Sequence, residues 1–181
     1  SLLLVSLIAG CSSDKPSAGK KDTLVMGVTN FADSLEPTDN YFGWVVMRYG
    51  LGECLVKFDD KMNFTPWLAE TWSIGDDKLT WTFVINDKAK FSNGNKVTAA
   101  AVKSAIERVF EKSTRAQTFF KNSEITADGQ TLTIKTQEPG PGMPGMLADP
   151  LFIIIDTSVK DRDYRVMGPI CTGPYMVKSF T

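Results

Sequence analysis

Apolar and polar side chains alternate most regularly between residues 66 and 110, and the period changes once along that stretch. Leu79, Trp81, Phe83 and Ile85 alternate with Thr80, Thr82 and Val84, the two-residue period of a strand with one buried face. Trp72 and Ile74 lead into the polar run Gly75-Asp76-Asp77-Lys78, so the pattern predicts strand, turn, strand. Ser92-Asn93-Gly94 supplies a second turn, its glycine free to take positive φ. From Thr98 onward the period lengthens. Val102, Ala105, Ile106, Val109 and Phe110 fall on one stripe of a helix that Thr98 is placed to cap.

The flanking segments are less regular. Leu24, Met26 and Val28 alternate and predict a first strand, followed by a polar loop over residues 30–40 that holds Leu35-Glu36-Pro37. Residues 41–51 are compatible with a helix and carry the densest aromatic cluster, Tyr41, Phe42, Trp44 and Tyr49. After the central helix, residues 111–117 read as a polar loop containing Arg115. Residues 123–136 form a hairpin pattern with Asp128-Gly129 at the tip and Leu132 and Ile134 on one face. The Gly/Pro-rich residues 138–144 argue against regular structure. Residues 151–155 are a continuous apolar run of strand length, buried on both faces if it is a strand, and residues 161–165 read as charged surface.

The N-terminus has its own pattern. Residues 2–9 are an unbroken run of small and apolar side chains ending Ile8-Ala9-Gly10-Cys11. That run is too short to span a bilayer but fits the apolar region of a signal peptide, and the residues before the cysteine resemble a bacterial lipobox. Cys11 is then the lipidated mature N-terminus, residues 1–10 a signal-peptide remnant, and residues 11–22 a flexible tether, since SSDKPSAGKKD has no face to bury. With neither an initiator methionine nor a basic leader, the sequence reads as cut at its start.

Composition narrows the chemistry. A chain of 181 residues with 43% apolar content fills one domain or a little more. A net charge of −1 gives no electrostatic reason to expect nucleic acid as a partner. There is no histidine, so Ser-His-Asp, Cys-His and histidine-rich zinc constellations are excluded and no metal site or catalytic residue is assigned. The adjacent carboxylates Asp59-Asp60 and Asp76-Asp77 sit in turn-like contexts, where solvated surface is the ordinary explanation. An extracellular hydrolase or an adhesion lipoprotein stays as the alternative of another class.

The words PWLAETW, LTWTF and KFSNG, together with the helix start over residues 98–108, resemble the bacterial extracellular solute-binding proteins of family 5, the peptide- and nickel-type receptors of ABC importers. Residues 52–58, GECLVKF, resemble the family's segment leaving the first lobe, and residues 168–177 resemble its Gly-Thr-Gly-Pro-Tyr word, with Cys171 replacing a glycine. The resemblance implies an α/β, periplasmic-binding-protein-like (type II) two-lobed receptor, of which this chain is the N-terminal portion carrying a smaller mixed α+β domain. Relatives are about three times longer, so most of lobe I and all of the opposing lobe lie beyond it. Residues 23–51 correspond to the first segment of lobe I, 52–168 to the smaller inserted domain and 169–181 to the start of the return.

The same resemblance implies a function. By that resemblance the protein is expected to be a non-enzymatic receptor, monomeric and without cofactor, and the lipobox adds export and lipid anchoring to the outer face of the cytoplasmic membrane. It captures peptides or related small solutes and hands them to permease and ATPase subunits; a nickel-chelate ligand is the alternative within the family. Tyr41, Phe42 and Trp44 are the candidate ligand-facing aromatics, and Arg115 stands where nickel-type relatives place an arginine that meets chelate carboxylates. Those relatives carry tryptophan where this chain has Thr118. Cys54 and Cys171 lie in segments that the resemblance runs side by side, so they are either a disulfide or two buried thiols. A bridge would close a loop of more than a hundred residues, worth up to roughly 4–5 kcal/mol in the chain-entropy model.

Overall fold

The computed structural model describes residues 25, 27–29, 32–120 and 122–180. The chain divides into two units, Ser1–Phe31 and Ala32–Thr181. Cys11, the signal-peptide and tether segments, and Leu24 and Met26 of the first predicted strand lie outside the described residues.

The second unit is built on a four-stranded antiparallel sheet. Its strands are β3 (Ala69–Ile74), β4 (Thr80–Ile85), β5 (Glu124–Asp128) and β6 (Thr131–Lys135), in the order β3-β4-β6-β5. Register puts Trp81 opposite Ile134 and Phe83 opposite Leu132, and all four are buried with Ile85 and Ile125 on one face. The helix α2 (Ala99–Lys112) covers that face with Val102, Ala105, Ile106 and Val109. Its start is fixed as the sequence predicts, the Thr98 hydroxyl oxygen accepting from the Ala101 N–H at 3.1 Å. The turn before β4 is held by Asp77, whose carboxylate accepts from the backbone of Leu79 and Thr80 and from the Thr80 hydroxyl at 2.7 Å. Beside the sheet, β1 (Val56–Phe58) and β2 (Phe64–Pro66) form a two-stranded antiparallel ribbon.

Several expectations give way. Residues 111–117 are not a loop: α2 runs on to Lys112, and Ser113 caps a further helix, α3 (Thr114–Phe119), by accepting from the Ala116 N–H. Within the Gly/Pro-rich stretch, Met143–Met146 closes one helical turn, α4, with Pro144 in its first turn, where the missing N–H costs nothing. The apolar run at 151–155 is not a strand. Asp149 caps a 3-10 turn, Pro150–Phe152, through a 2.8 Å bond from the Leu151 N–H, and Ile153 to Ile155 then pass extended through the core. A proline at the first position and a capping carboxylate favour the turn over a ladder. The charged stretch near residue 165 is partly interior, because Tyr164, opening the short helix α5 (Tyr164–Met167), is buried.

The two cysteine-bearing segments do run side by side. Gly173 N–H donates to the Leu51 carbonyl at 2.9 Å and Tyr175 N–H to that of Gly50 at 3.1 Å. A Cβ on Gly173 would stand 2.2 Å from the Gly50 oxygen, so only glycine permits this approach. No bridge joins the cysteines, however; both are free and buried. The Cys54 thiol donates instead to the Asp149 carbonyl at 3.3 Å. Burial pushes both thiols up, which keeps them protonated and unreactive.

Candidate functional site

The aromatic cluster at residues 41–49 becomes the helix α1 (Phe42–Arg48), and one glycine decides how it sits. A Cβ on Gly43 would lie 2.4 Å from the Pro150 carbonyl oxygen, so the helix rests directly on the 3-10 turn. Val46 is buried by the same contact, which leaves Tyr41 and Trp44 exposed at 70% and 46%.

Trp44 forms one wall of a mainly apolar recess of about 440 Å³, shared with Met47, Lys57, Phe58, Trp67 and Asp149. Trp67 is fixed by its indole N–H, which donates to Glu53 at 2.7 Å, and the Lys57 ammonium stands 5.6 Å over its ring. Arg115, on α3, donates from Nη2 to Asp149 Oδ1 at 3.0 Å. Its guanidinium carbon lies 6.0 Å from the ring centres of both Tyr41 and Phe119. Asp149 thus joins the two halves, facing the recess on one side and the arginine on the other.

The structure brings Tyr41, Trp44 and Arg115 together around Asp149. Phe42 does not join them; it is half-buried and lines a separate depression with Asp33, Ser34, Asp39 and Arg165. Thr118 adds nothing to the face, since its hydroxyl donates to the Arg115 carbonyl within α3 at 2.7 Å. The KFSNG turn is engaged structurally. Asn93 and Asn95 each donate to Asp156 Oδ2 at 2.7 Å. Burial raises the Asp156 carboxyl, but bonds from Ser158, Asn93 and Asn95 more than offset it and hold the group below the usual range.

Sequence reasoning missed Asp149, Lys57, Phe58 and Trp67. Asp149 carries a legible local signal, an aspartate directly before a proline and an apolar run, which reads as a cap. Its pairing with an arginine 34 positions earlier has no such signal. Among the described residues there is no group of three or more His, Cys, Asp or Glu able to hold a metal, and no helix long and apolar enough to cross a membrane. Aromatic walls and a recess of this size suit the holding of a small solute, and the Arg115 guanidinium beside it suits an anionic group on that solute.

Comparison with known proteins agrees with this architecture. The family model described as bacterial extracellular solute-binding proteins, family 5 middle, matches residues 63–181. The nickel-binding protein NikA of Staphylococcus aureus is 32% identical over 176 residues, covering 97% of this chain and 34% of that protein. The probable D,D-dipeptide-binding periplasmic protein DdpA of Escherichia coli K12 is 31% identical over 180 residues, covering 91% and 35%. The crystal structure of a nickel ABC transporter from Bacillus halodurans superposes with a TM-score of 0.76 at 36% identity, over 83% of this chain and 31% of that one. The chain spans about a third of the length of the curated relatives it matches. With its sheet-and-helix core matching a partial domain of type II periplasmic binding proteins, the chain belongs to family 5 of the bacterial extracellular solute-binding proteins.

Proposed function

We propose that this chain contributes one wall of the ligand site in the substrate-binding receptor of an ABC importer, and that the ligand is a nickel chelate bearing carboxylates. The observation that carries the reading is the convergence of Arg115, Tyr41 and Trp44 around Asp149. Binding follows from differential contacts: a ligand held by this wall and an opposing lobe favours a closed state, which the permease and ATPase subunits then receive. The nickel reading draws support from the names of the Staphylococcus and Bacillus relatives, and it reverses the order that motifs alone favour. Peptide is the second reading, favoured by the dipeptide-binding name of the Escherichia relative. The receptor acts as a monomer and is not an enzyme. Residues 23–51 supply the first segment of its lobe I and 169–181 the start of the return to that lobe, with 52–168 as the smaller domain, a division supported by the pairing of Gly50 and Leu51 with Gly173 and Tyr175.

Calorimetric titration of the gene product with nickel plus histidine or citrate, and separately with a peptide pool containing D,D-dipeptides, tests the ligand. Heat with the nickel mixtures and none with the pool supports the nickel reading; the opposite result overturns it. Export and lipid anchoring through Cys11 belong to the same proposal. Labelled palmitate should enter the protein expressed in a bacterium, and incorporation that survives Cys11→Ala contradicts the anchor.

A further inference from the structure

Arg115 sits on a short helix of six residues and is itself 43% exposed, so little in α3 alone fixes where its guanidinium points. Asp149 is differently placed. Its Oδ1 caps the 3-10 turn through Leu151 N–H at 2.8 Å, and its carbonyl takes the buried Cys54 thiol at 3.3 Å. Its own N–H donates to Met146 at 3.1 Å. The residues that follow it, Leu151 to Ile155, are all core. One partner of the ion pair is therefore a fixed post and the other a movable arm. The carboxylate engages the guanidinium through Nη2 alone, and the Tyr41 and Phe119 rings, each 6.0 Å from its carbon, flank it. The remaining N–H donors have no protein acceptor among the described residues.

We infer that Asp149 is a positioning residue that sets the carboxylate selectivity of the site: it holds Arg115 by one N–H so that the other donors face a ligand carboxylate. The inference rests on the reading that Arg115 meets the ligand. Two physical effects follow. Orientation is supplied before binding, so the arginine does not lose rotamer freedom at the moment a ligand arrives. The free donors also form a planar fork that a carboxylate can meet with two oxygens, whereas an amide offers only one acceptor.

The test compares carboxylate with amide. Dissociation constants are measured calorimetrically for nickel with L-histidine and nickel with L-histidinamide, and for D-alanyl-D-alanine and its C-terminal amide, on the gene product and three variants. In the unaltered protein the carboxylate form of the bound probe should be preferred by roughly ten-fold or more, the worth of a hydrogen bond to a charged group. Arg115→Ala should remove the preference. Asp149→Ala should reduce it several-fold, whereas Asp149→Asn should restore most of it, because the amide oxygen still accepts from Arg115 and from Leu151. A residue serving only to cap the turn would lower the melting temperature in Asp149→Ala and weaken both forms equally. An unchanged preference in Asp149→Ala, with the preference lost in Arg115→Ala, overturns the inference and leaves the site reading intact. An unchanged preference in Arg115→Ala, or no binding of any probe, overturns both.

Discussion

Asp77 shows how a fully exposed side chain can still order a chain. Bonds from the Thr80 hydroxyl and from the Leu79 and Thr80 amides bring its carboxyl down from the ordinary 3.8 to about 2. A depressed carboxylate contributes stability above its unfolded value, and that contribution is lost as pH falls from 3.8 toward 2. A carbon-13 titration should place the Asp77 midpoint near 2; a midpoint near the ordinary value contradicts the turn. Glu36 follows the same sign by a different balance. Burial pushes it up, but the Arg108 guanidinium and the Thr38 donors outweigh burial, and the net value lies below the usual range. Arg108 grips both Glu36 oxygens and lies 4.7 Å from the Tyr164 ring centre, so the pair ties α2 to the loop before α1. Removing one partner, as in Arg108→Ala, leaves a largely buried charge and should lower unfolding free energy by about 3 kcal/mol. Chemical denaturation reads the loss, and a change below about 1 kcal/mol would mean the pair is no more than a surface contact.

At the scale of elements, stability is concentrated where the hydrophobic period is clearest. Phe83 is fully buried opposite Leu132 beneath α2, so Phe83→Ala should cost about 3–5 kcal/mol. Thr98→Ala, which removes one cap acceptor, should cost about 1 kcal/mol. Equal losses in the two variants would place the core elsewhere. The same contrast explains what was legible. β4, α2 and the β5–β6 hairpin could be read from residue order because each repeats a local rule several times. α3 could not, because its first-turn bond from Ala116 N–H to Ser113 is one contact in a polar stretch without a stripe. The run at 151–155 misled for the opposite reason: five apolar residues fit a strand, and Asp149 with Pro150 turned the chain first.

For the molecule as a whole, motif words carried the family while single residues carried little of the site. LTWTF and KFSNG turned out to be structural, with Trp81 in the core and Asn93 held by Asp156, whereas PWLAETW also lends Trp67, pinned to Glu53, to the wall of the recess. Tyr41, Trp44 and Arg115 meet through the fold, since Gly43 seats α1 on Pro150 and the 3-10 turn then presents Asp149 to α3. Phe42, adjacent in sequence to Tyr41, goes to another face because a helix turns successive side chains apart. The free thiols Cys54 and Cys171 show the same limit, since adjacency of two segments does not supply the geometry a bridge needs.

The face built by Arg115 and Trp44 is proposed to bind a carboxylate-bearing solute. Calorimetric titration of nickel with L-histidine into the gene product, beside Arg115→Ala and Trp44→Ala, tests it most directly. Saturable binding is expected in the unaltered protein, weakened roughly ten-fold or more in Arg115→Ala and measurably in Trp44→Ala, with melting temperatures unchanged in both exposed-residue variants. Affinities in both variants equal to that of the unaltered protein would contradict it.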